Sequence, residues 1–436
     1  MNKTKIQVLQ FGTGNFLRGF IEPMIQELNQ NGDSLHVCLV QSTDSTNLEG
    51  LRLQNFAYSV YVAGIEEGER IEKTQSISCI SAGLRLPDDY DQFISLALEP
   101  ELRWLISNVT EAGLDWKKED QTKKIPSSFV GRLTKWLYAR FEHAPELETV
   151  LLPCELIPNN GALLKDLIHR KAAEFLLPDH FLLWLDHKCT FHNTLVDRIV
   201  PGFPKKFQDT AVPYTVQVEP YLFWGIEGNA ASLDKLPFKA CKGVLLTESL
   251  LPYSMRKISI LNGLHTYLAA KGTLLQLETV ADYLKDSSRL AELNLLLEEE
   301  IFPFLNQPMD SLRDYASKVL ERFSNPFTAH SLRSISFQSV SKFKMRLAPI
   351  GQFYLNKNGT LAPYISQGLV ALILGYLRIP HQMQDTEETL SYFKKLQEEK
   401  GSELDKVMLA SKDLFDFEDQ ESLKTAYSNL LLTLPT

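Results

Sequence analysis

The chain has 436 residues, of which 44% are hydrophobic and 23% are charged, as is typical of a globular protein of about two domains. Its net charge of -9 argues against nucleic acid as the main partner, because phosphate contacts need a basic surface. The longest apolar run, residues 369–377, is too short to cross a bilayer and no signal-peptide pattern is present, so we expect a cytoplasmic protein without a membrane partner.

The first predicted elements form a strand–helix–strand unit. Residues 5–11 have the pattern of a short buried strand, an amphipathic stretch follows as far as Leu28, and residues 35–41 have the pattern of a second buried strand. Two consecutive strands joined by a helix require a parallel sheet.

The turn after the first strand contains a glycine motif, Gly12-Thr13-Gly14, followed by Asn15 and Phe16. Glycines at this turn let the backbone approach a pyrophosphate, and the helix N-terminus favours its charge. Leu17 occupies the place of the third glycine of GxGxxG, so a plain tight turn also fits. The position between an apolar strand and a helix favours a dinucleotide site.

The end of the second strand is where an acidic residue would bind the adenosine ribose of NAD. Gln41 occupies the strand end and Asp44 follows three residues later, and either could face the ribose. Asp44 fits a helix N-cap equally well. No basic residue lies in this segment to receive a 2′-phosphate, so we expect NAD rather than NADP.

Polar turns also follow the later predicted strands at residues 104–113 and 149–157, the second of which precedes a predicted helix over 161–175. Ligands of open α/β sheets bind beyond the carboxyl ends of the strands, although turn and capping chemistry explains such residues too. The candidates for cofactor contacts in these turns and in a later polar segment are Asn108, Thr110, Glu111, Asn160 and Asp197.

After about residue 248 the pattern becomes helical, so we expect an α/β domain over 1–248 and a mainly α-helical domain over 249–436. The five cysteines are widely spread and have no CxxC spacing, which predicts neither a disulfide framework nor a cysteine metal site. The predicted helices cover residues 254–270, 275–302, 308–323, 328–343, 365–378, 385–399 and 402–415.

One predicted helix carries three polar residues, Lys257, Asn262 and His265, among apolar neighbours on nearly all sides. At about 100° per residue, an arc of roughly 140° holds all three. Unpartnered buried polar groups cost about 2–7 kcal/mol, and burial is expected to lower the pKa of the lysine toward that of a general acid/base. The alternative is that Lys257 reaches solvent and His265 is an ordinary core histidine.

These segments together resemble the mannitol dehydrogenase family, the polyol-specific long-chain dehydrogenases, from Phe11 to about Arg378. The spacing KxxxxNxxH is specific for this family when a VDR segment precedes it and an RFxNP segment follows it. Both segments are present here, at residues 196–198 and 322–326. The matching segments are QFGTGNFLRGF (10–20), SNVTEAG (107–113), PSSFVGRLTKWLYARF (126–141), PCELIPNNG (153–161), RKISILNGLHTYLA (256–269), ERFSNPF (321–327) and SISFQSVSKFKMRL (334–347).

The resemblance implies a Rossmann-type N-terminal domain, a helical C-terminal domain, an active site between them and no catalytic metal. It implies that Lys257 is the general acid/base and that Asn262 and His265 hold the reacting oxygen and orient the substrate. Asp197 matches an aspartate near the catalytic lysine. In place of a family asparagine that helps to polarise the carbonyl, this chain has Leu156, which argues against mannitol as substrate.

Within the family, the resemblance is closest to members that act on a keto sugar acid. It implies NAD-dependent, reversible hydride transfer at a secondary alcohol or ketone of a small sugar acid or polyol. Dehydrogenation of mannitol, arabinitol, fructuronate or mannonate, and a non-catalytic nucleotide-binding role, remain alternatives, and the oligomeric state stays open. The candidate cations for a substrate carboxylate are Arg322, Lys342, Lys344, Arg346 and Arg256.

Overall fold

The computed structural model describes residues 5–109, 111–114, 116–207 and 214–434. The chain divides into two compact units, Met1–Ala63 with Arg70–Leu250 and Gly64–Glu69 with Leu251–Thr436. The short segment Gly64–Glu69 is the tip of a hairpin that clusters with the second unit, where the Gly68 N–H donates to a carboxylate oxygen of Glu321 (2.6 Å).

The described strands are β1 (Val8–Phe11), β2 (Val37–Gln41), β3 (Tyr58–Glu66), β4 (Glu69–Ile77), β5 (Ile80–Arg85), β6 (Trp104–Ser107), β7 (Thr149–Pro153), β8 (Cys189–Phe191), β9 (Thr194–Asp197), β10 (Val216–Val218), β11 (Phe223–Glu227) and β12 (Val244–Thr247). Six of them form a parallel sheet in the order β5-β2-β1-β6-β7-β8. This is the strand order of a dinucleotide-binding fold, with its switch point between β1 and β6. The prediction of a Rossmann-type domain is confirmed.

The central strands are buried on both faces because helices cover the sheet on each side. Successive side chains point to opposite faces, so Val8 and Leu39 join one apolar cluster while Leu9 and Val40 join another. The helices of this unit are α1 (Asn15–Gln30), α2 (Asn47–Leu53), α3 (Tyr90–Ser95), α4 (Phe129–His143), α5 (Asn160–Glu174), α6 (Asp179–Lys188) and α7 (Ala230–Leu233).

Two three-stranded sheets, β10-β3-β4 and β12-β11-β9, complete this unit and were not predicted. Within them, β4 is largely exposed, whereas β3 is buried along most of its length. All five cysteines are free and buried in this unit.

The second unit is helical, as predicted, but two predicted helices are broken into shorter ones. Its helices are α8 (Leu251–Arg256), α9 (Gly263–Leu274), α10 (Val280–Leu284), α11 (Ser287–Leu295), α12 (Phe302–Leu305), α13 (Met309–Phe323), α14 (Leu332–Ile335), α15 (Ser339–Arg346), α16 (Ala348–Asn358), α17 (Pro363–Arg378), α18 (Glu387–Glu398), α19 (Glu403–Phe415) and α20 (Gln420–Leu431). The predicted helix 275–302 breaks where Asp286 caps α11 by accepting from the N–H groups of Ser288 and Arg289. The predicted helix 328–343 breaks at Gln338, which adopts a left-handed conformation.

The apolar run 369–377 lies inside α17, which packs against α9 and α20. The contact with α9 is close because Gly368 lies beneath the ring of Tyr267, and a Cβ there would be 2.7 Å from a ring carbon. Among the helices of the described residues, none is long and apolar enough to cross a membrane.

Candidate functional site

The turn between β1 and α1 has the features of a phosphate-binding turn. Gly12 has φ +119°, which favours glycine, and a Cβ there would lie 3.4 Å from the Asn108 carbonyl oxygen. Gly14 is the N-cap of α1, and a Cβ there would meet nothing within 4 Å. No side chain caps this helix and no acidic residue lies in its first turn, so its N–H groups and positive end suit a pyrophosphate.

A buried network behind this turn fixes its shape. The Gln10 side-chain amide donates both to the Gly12 carbonyl (3.0 Å) and to Glu22 (2.8 Å). The Tyr58 hydroxyl donates to the other oxygen of Glu22 (2.6 Å). Glu22 is fully buried, and burial raises its pKa. Sequence patterning missed Glu22 because it lies between apolar residues of α1.

The two candidates that follow the glycines have different surroundings. Asn15 is exposed, and its side-chain oxygen accepts a hydrogen bond from Arg18 (2.6 Å). Phe16 stacks on Phe20 with ring centroids 4.9 Å apart and packs against the core. The ring of Phe16 therefore contributes to packing, and its contact with the cofactor stays a prediction.

The end of β2 distinguishes the two candidates for the ribose. The Gln41 side chain accepts from Thr13 (3.1 Å) and from the Leu48 N–H (3.1 Å), and its amide also donates to backbone carbonyls of the following loop. Gln41 is thus occupied within the protein, whereas Asp44 is exposed.

One expectation about this strand end needs correction, because a basic residue does lie beside it in space. Arg85, at the end of β5, pairs in register with Gln41. The sequence did not indicate this because the two residues are 44 positions apart and only the parallel pairing of β2 with β5 joins them. Arg85 forms an ion pair with Glu49, which offsets its charge.

The turns after β6 and β7 lie side by side. Asn108 donates from its side chain to the Cys154 carbonyl (2.6 Å), and the Val109 N–H donates to Glu155 (3.0 Å). Burial raises the pKa of Glu155, a residue that the sequence did not single out. The candidate Thr110 lies outside the described residues, and only the backbone of Glu111 is described, at the start of a short 3₁₀ turn.

Asn160 belongs to the framework of the fold rather than to a ligand site. Its side-chain amide donates to the carbonyls of Pro153 (3.0 Å) and Thr194 (3.2 Å), and its oxygen accepts from the Thr194 N–H (2.8 Å). These bonds tie α5 to β7 and β9, and they replace the cofactor contact that we expected. Leu156 is 74% exposed, and Asp197 is buried at the end of β9.

In the second unit, Lys257–Asn262 form a π-helical turn between α8 and α9. Backbone bonds in such a turn run from residue i to i+5, so Asn262 lies one turn above Lys257 on the same face. His265 follows three residues later in α9 and continues that face. The separation of roughly 140° that regular helix geometry predicts for Lys257 and Asn262 is therefore wrong, because the helix is locally wider.

Burial differs between the two sides of this helix. Lys257, Asn262 and His265 are half-buried, whereas the side chains of Ile260 and Leu264 are fully buried. The expectation that the helix is buried on all sides is thus wrong for its polar face. Short π-helical turns within α-helices are frequent at functional sites.

His265 lies against aromatic and basic residues at the end of α13 and in the loop after it. Its ring centroid is 4.3 Å from that of Phe323 and 5.6 Å from that of His330. Burial and the charge of Arg322, itself buried, lower the pKa of His330 to about 4. The sequence did not single out His330, because one histidine within the predicted helix 328–343 carries no distinguishing pattern.

The cations on α15 divide between two faces. Lys342 and Arg346 are half-buried and one turn apart, and Arg346 contacts the Asn262–Thr266 segment. Lys344 is exposed on the opposite face, with its ammonium 5.9 Å from the ring centroid of Phe415. We therefore no longer assign Lys344 to the substrate. Arg256 lies over the ring of Tyr315 (4.2 Å to the centroid).

The low pKa of His330 predicts a pH dependence of stability. Folding favours the neutral ring, so stability is lost as the pH falls from 6.5 toward 4. Relative to His330→Gln, the wild type is expected to lose up to about 3 kcal/mol of unfolding free energy over that range. Denaturant titrations at several pH values measure this difference. Exposed His381→Gln is the matched control, and an equal pH dependence in both variants would contradict the prediction.

Comparisons with known proteins cover both units. Residues 6–239 match the family described as mannitol dehydrogenase Rossmann domain, and residues 249–431 match the mannitol dehydrogenase C-terminal domain. An altronate oxidoreductase of Bacillus subtilis (strain 168) is 36% identical over 406 residues, covering 89% of this chain and 83% of that protein. Another altronate oxidoreductase, from Yersinia enterocolitica, is 35% identical and covers 85% of this chain and 80% of that protein.

Two solved structures have similar folds. D-sorbitol dehydrogenase in a substrate-free form gives a TM-score of 0.85 at 19% identity, covering 99% of this chain and 95% of that chain. Pseudomonas fluorescens mannitol 2-dehydrogenase, in a ternary complex with NAD and D-mannitol, gives a TM-score of 0.73 at 20% identity, covering 98% of this chain and 92% of that chain. Within the described residues, no group of three or more His, Cys, Asp or Glu side chains is arranged to hold a metal ion.

Proposed function

The chain belongs to the mannitol dehydrogenase family, and on that basis we propose that it is a cytoplasmic, NAD-dependent enzyme that reduces tagaturonate to altronate. It is an oxidoreductase that acts on a CH–OH group of a sugar acid or polyol. Altronate as product is supported by the relatives named altronate oxidoreductase, which are 34–36% identical over most of the chain.

The observation that carries the proposal is the π-helical turn, which places Lys257 and Asn262 on one half-buried face. The Lys257 ammonium donates a proton to the oxygen of the former keto group, and in the reverse direction the neutral amine accepts it. The Asn262 side-chain amide donates a hydrogen bond to the same oxygen and stabilises the developing negative charge. His265 binds a hydroxyl of the substrate next to the reacting carbon, and its ring packs against the ring of Phe323.

The first unit supplies the cofactor site in this proposal. The N-terminus of α1 and the turn at Gly12 and Gly14 suit a pyrophosphate, and Asp44 is available for the adenosine ribose. When bound, NADH supplies the hydride that adds to the keto carbon. Asp197 matches a family aspartate, and Arg322 and Lys342 are the cations that we assign to the substrate.

A substrate panel tests this function. The decrease of NADH absorbance is followed with tagaturonate, fructuronate, fructose and tagatose, and separately with NADPH in place of NADH. We expect the highest kcat/KM for tagaturonate with NADH. A higher kcat/KM for fructose would indicate a polyol dehydrogenase, and a higher one for fructuronate would indicate mannonate as product. NADH binding without turnover of any substrate would indicate a nucleotide-binding protein without this activity.

A further inference from the structure

We propose that Arg346 binds the substrate carboxylate and selects sugar acids over uncharged sugars, an inference that rests on the proposed function. Its position depends on α15, which ends against the helix that carries Asn262. An Nη1 hydrogen of Arg346 is directed at the Asn262 carbonyl (3.4 Å) and at the Thr266 hydroxyl (3.1 Å). The guanidinium is therefore held beside the backbone of the residue assigned to the reacting oxygen.

The glycine after Asn262 allows this close approach. A Cβ on Gly263 would lie 3.2 Å from a methyl carbon of Leu347, the residue after Arg346. That distance is too short for ordinary packing of a larger side chain. Gly263 thus explains how the end of α15 reaches the α9 backbone, and the hydrogen bond to Thr266 then restricts the rotamers of Arg346.

The charge of Arg346 has no acidic partner among the residues that the structure describes. Burial alone lowers its pKa, with no carboxylate acting in the opposite direction. A second half-buried cation, Lys342, lies one turn earlier; burial and the charge of Arg346 lower its pKa, whereas the Asp385 carboxylate acts in the opposite direction. A half-buried guanidinium without an acidic partner is unfavourable, so Arg346 with a second cation one turn away suits an anionic ligand.

The free edge of the guanidinium matches the geometry of a carboxylate. Within the described part of the chain, Nε and Nη2 of Arg346 have no hydrogen-bond acceptor, because only Nη1 is used by the protein. These two nitrogens form the fork that binds both carboxylate oxygens in parallel. Lys342, whose ammonium donates to the Ile335 carbonyl (2.8 Å), adds charge without this geometry.

The test compares tagaturonate with tagatose, the uncharged ketose of the same chain length. In Arg346→Met, kcat/KM for tagaturonate is expected to fall about 30-fold, equivalent to about 2 kcal/mol, mainly through KM. For tagatose it is expected to change less than about threefold, because no charge is bound there. Arg346→Lys keeps the charge without the fork and is expected to give an intermediate loss for tagaturonate.

Lys344→Met is the matched control, because it removes a cation from the exposed face of the same helix. Equal losses for both substrates in Arg346→Met would show that Arg346 only supports Asn262, and no loss for either would show that it is uninvolved. Either result overturns the proposal. Failure of the proposed function is seen separately in the wild type, as turnover of tagatose equal to or better than that of tagaturonate, and it would overturn both.

Discussion

Replacing Lys257 with alanine is expected to lower kcat for tagaturonate reduction by about 10³-fold, within the range typical of a general acid. Without the ammonium, the oxygen of the former keto group must take its proton from a donor that is not held in place by this side chain. The dissociation constant of NADH is expected to change less than about threefold, because the phosphate-binding turn lies in the first unit. Steady-state kinetics and fluorescence titration with NADH measure the two effects.

Chemical rescue distinguishes proton transfer from packing in this variant. Added methylamine can occupy the space of the missing side chain, and activity is expected to rise with the concentration of the amine. Lys357→Ala, which removes an exposed lysine of the same unit, is the control, and it is expected to keep kcat within about threefold of the wild type. If kcat of Lys257→Ala stays close to that of the wild type, the role assigned to the lysine is wrong.

Replacing Asn262 with alanine is expected to lower kcat by about 10²-fold, the typical effect of removing one donor to a developing oxyanion. Asn262→Asp has nearly the same shape but accepts hydrogen bonds instead of donating them when ionised. We therefore expect Asn262→Asp to be at least as impaired as Asn262→Ala. Single-turnover measurements at saturating NADH isolate the chemical step.

Ser259→Ala is the control for Asn262, because this buried serine lies in the same π-helical turn. Its replacement is expected to change kcat less than about twofold, as for a position outside the reacting face. If Asn262→Asp kept the activity of the wild type, shape rather than donation would matter, and the proposed stabilisation of the oxygen would be contradicted.

The parallel sheet was predictable because its central strands are short apolar runs separated by helical segments. The turn at Gly12 and Gly14 was predictable as a glycine turn between a strand and a helix, and its assignment to a phosphate stays a prediction. The two small sheets were not predictable, because strands such as β4 alternate irregularly and are largely exposed. Their pairing depends on partners far away in the sequence, such as β10 beside β3.

The polar residues of the second unit show a similar contrast. The spacing of Lys257, Asn262 and His265 identified the helix that carries them, but a fixed angle per residue misplaced the first two. A π-helical turn has one extra residue per turn, and no residue pattern in Lys257–Asn262 marked that change of period in advance.

By itself, the sequence determined the fold class and the mainly helical character of the C-terminal region, because hydrophobic periodicity is local and follows directly from residue order. The tertiary structure alone decided which candidate side chains are free to meet a ligand. The side chains of Asn160 and Gln41 form hydrogen bonds within the protein. Lys344 lies on the opposite face of its helix from Arg346, and Arg85 lies beside Gln41. Hydrogen-bond partners and charge pairs join residues distant in the chain, so no local pattern could indicate them.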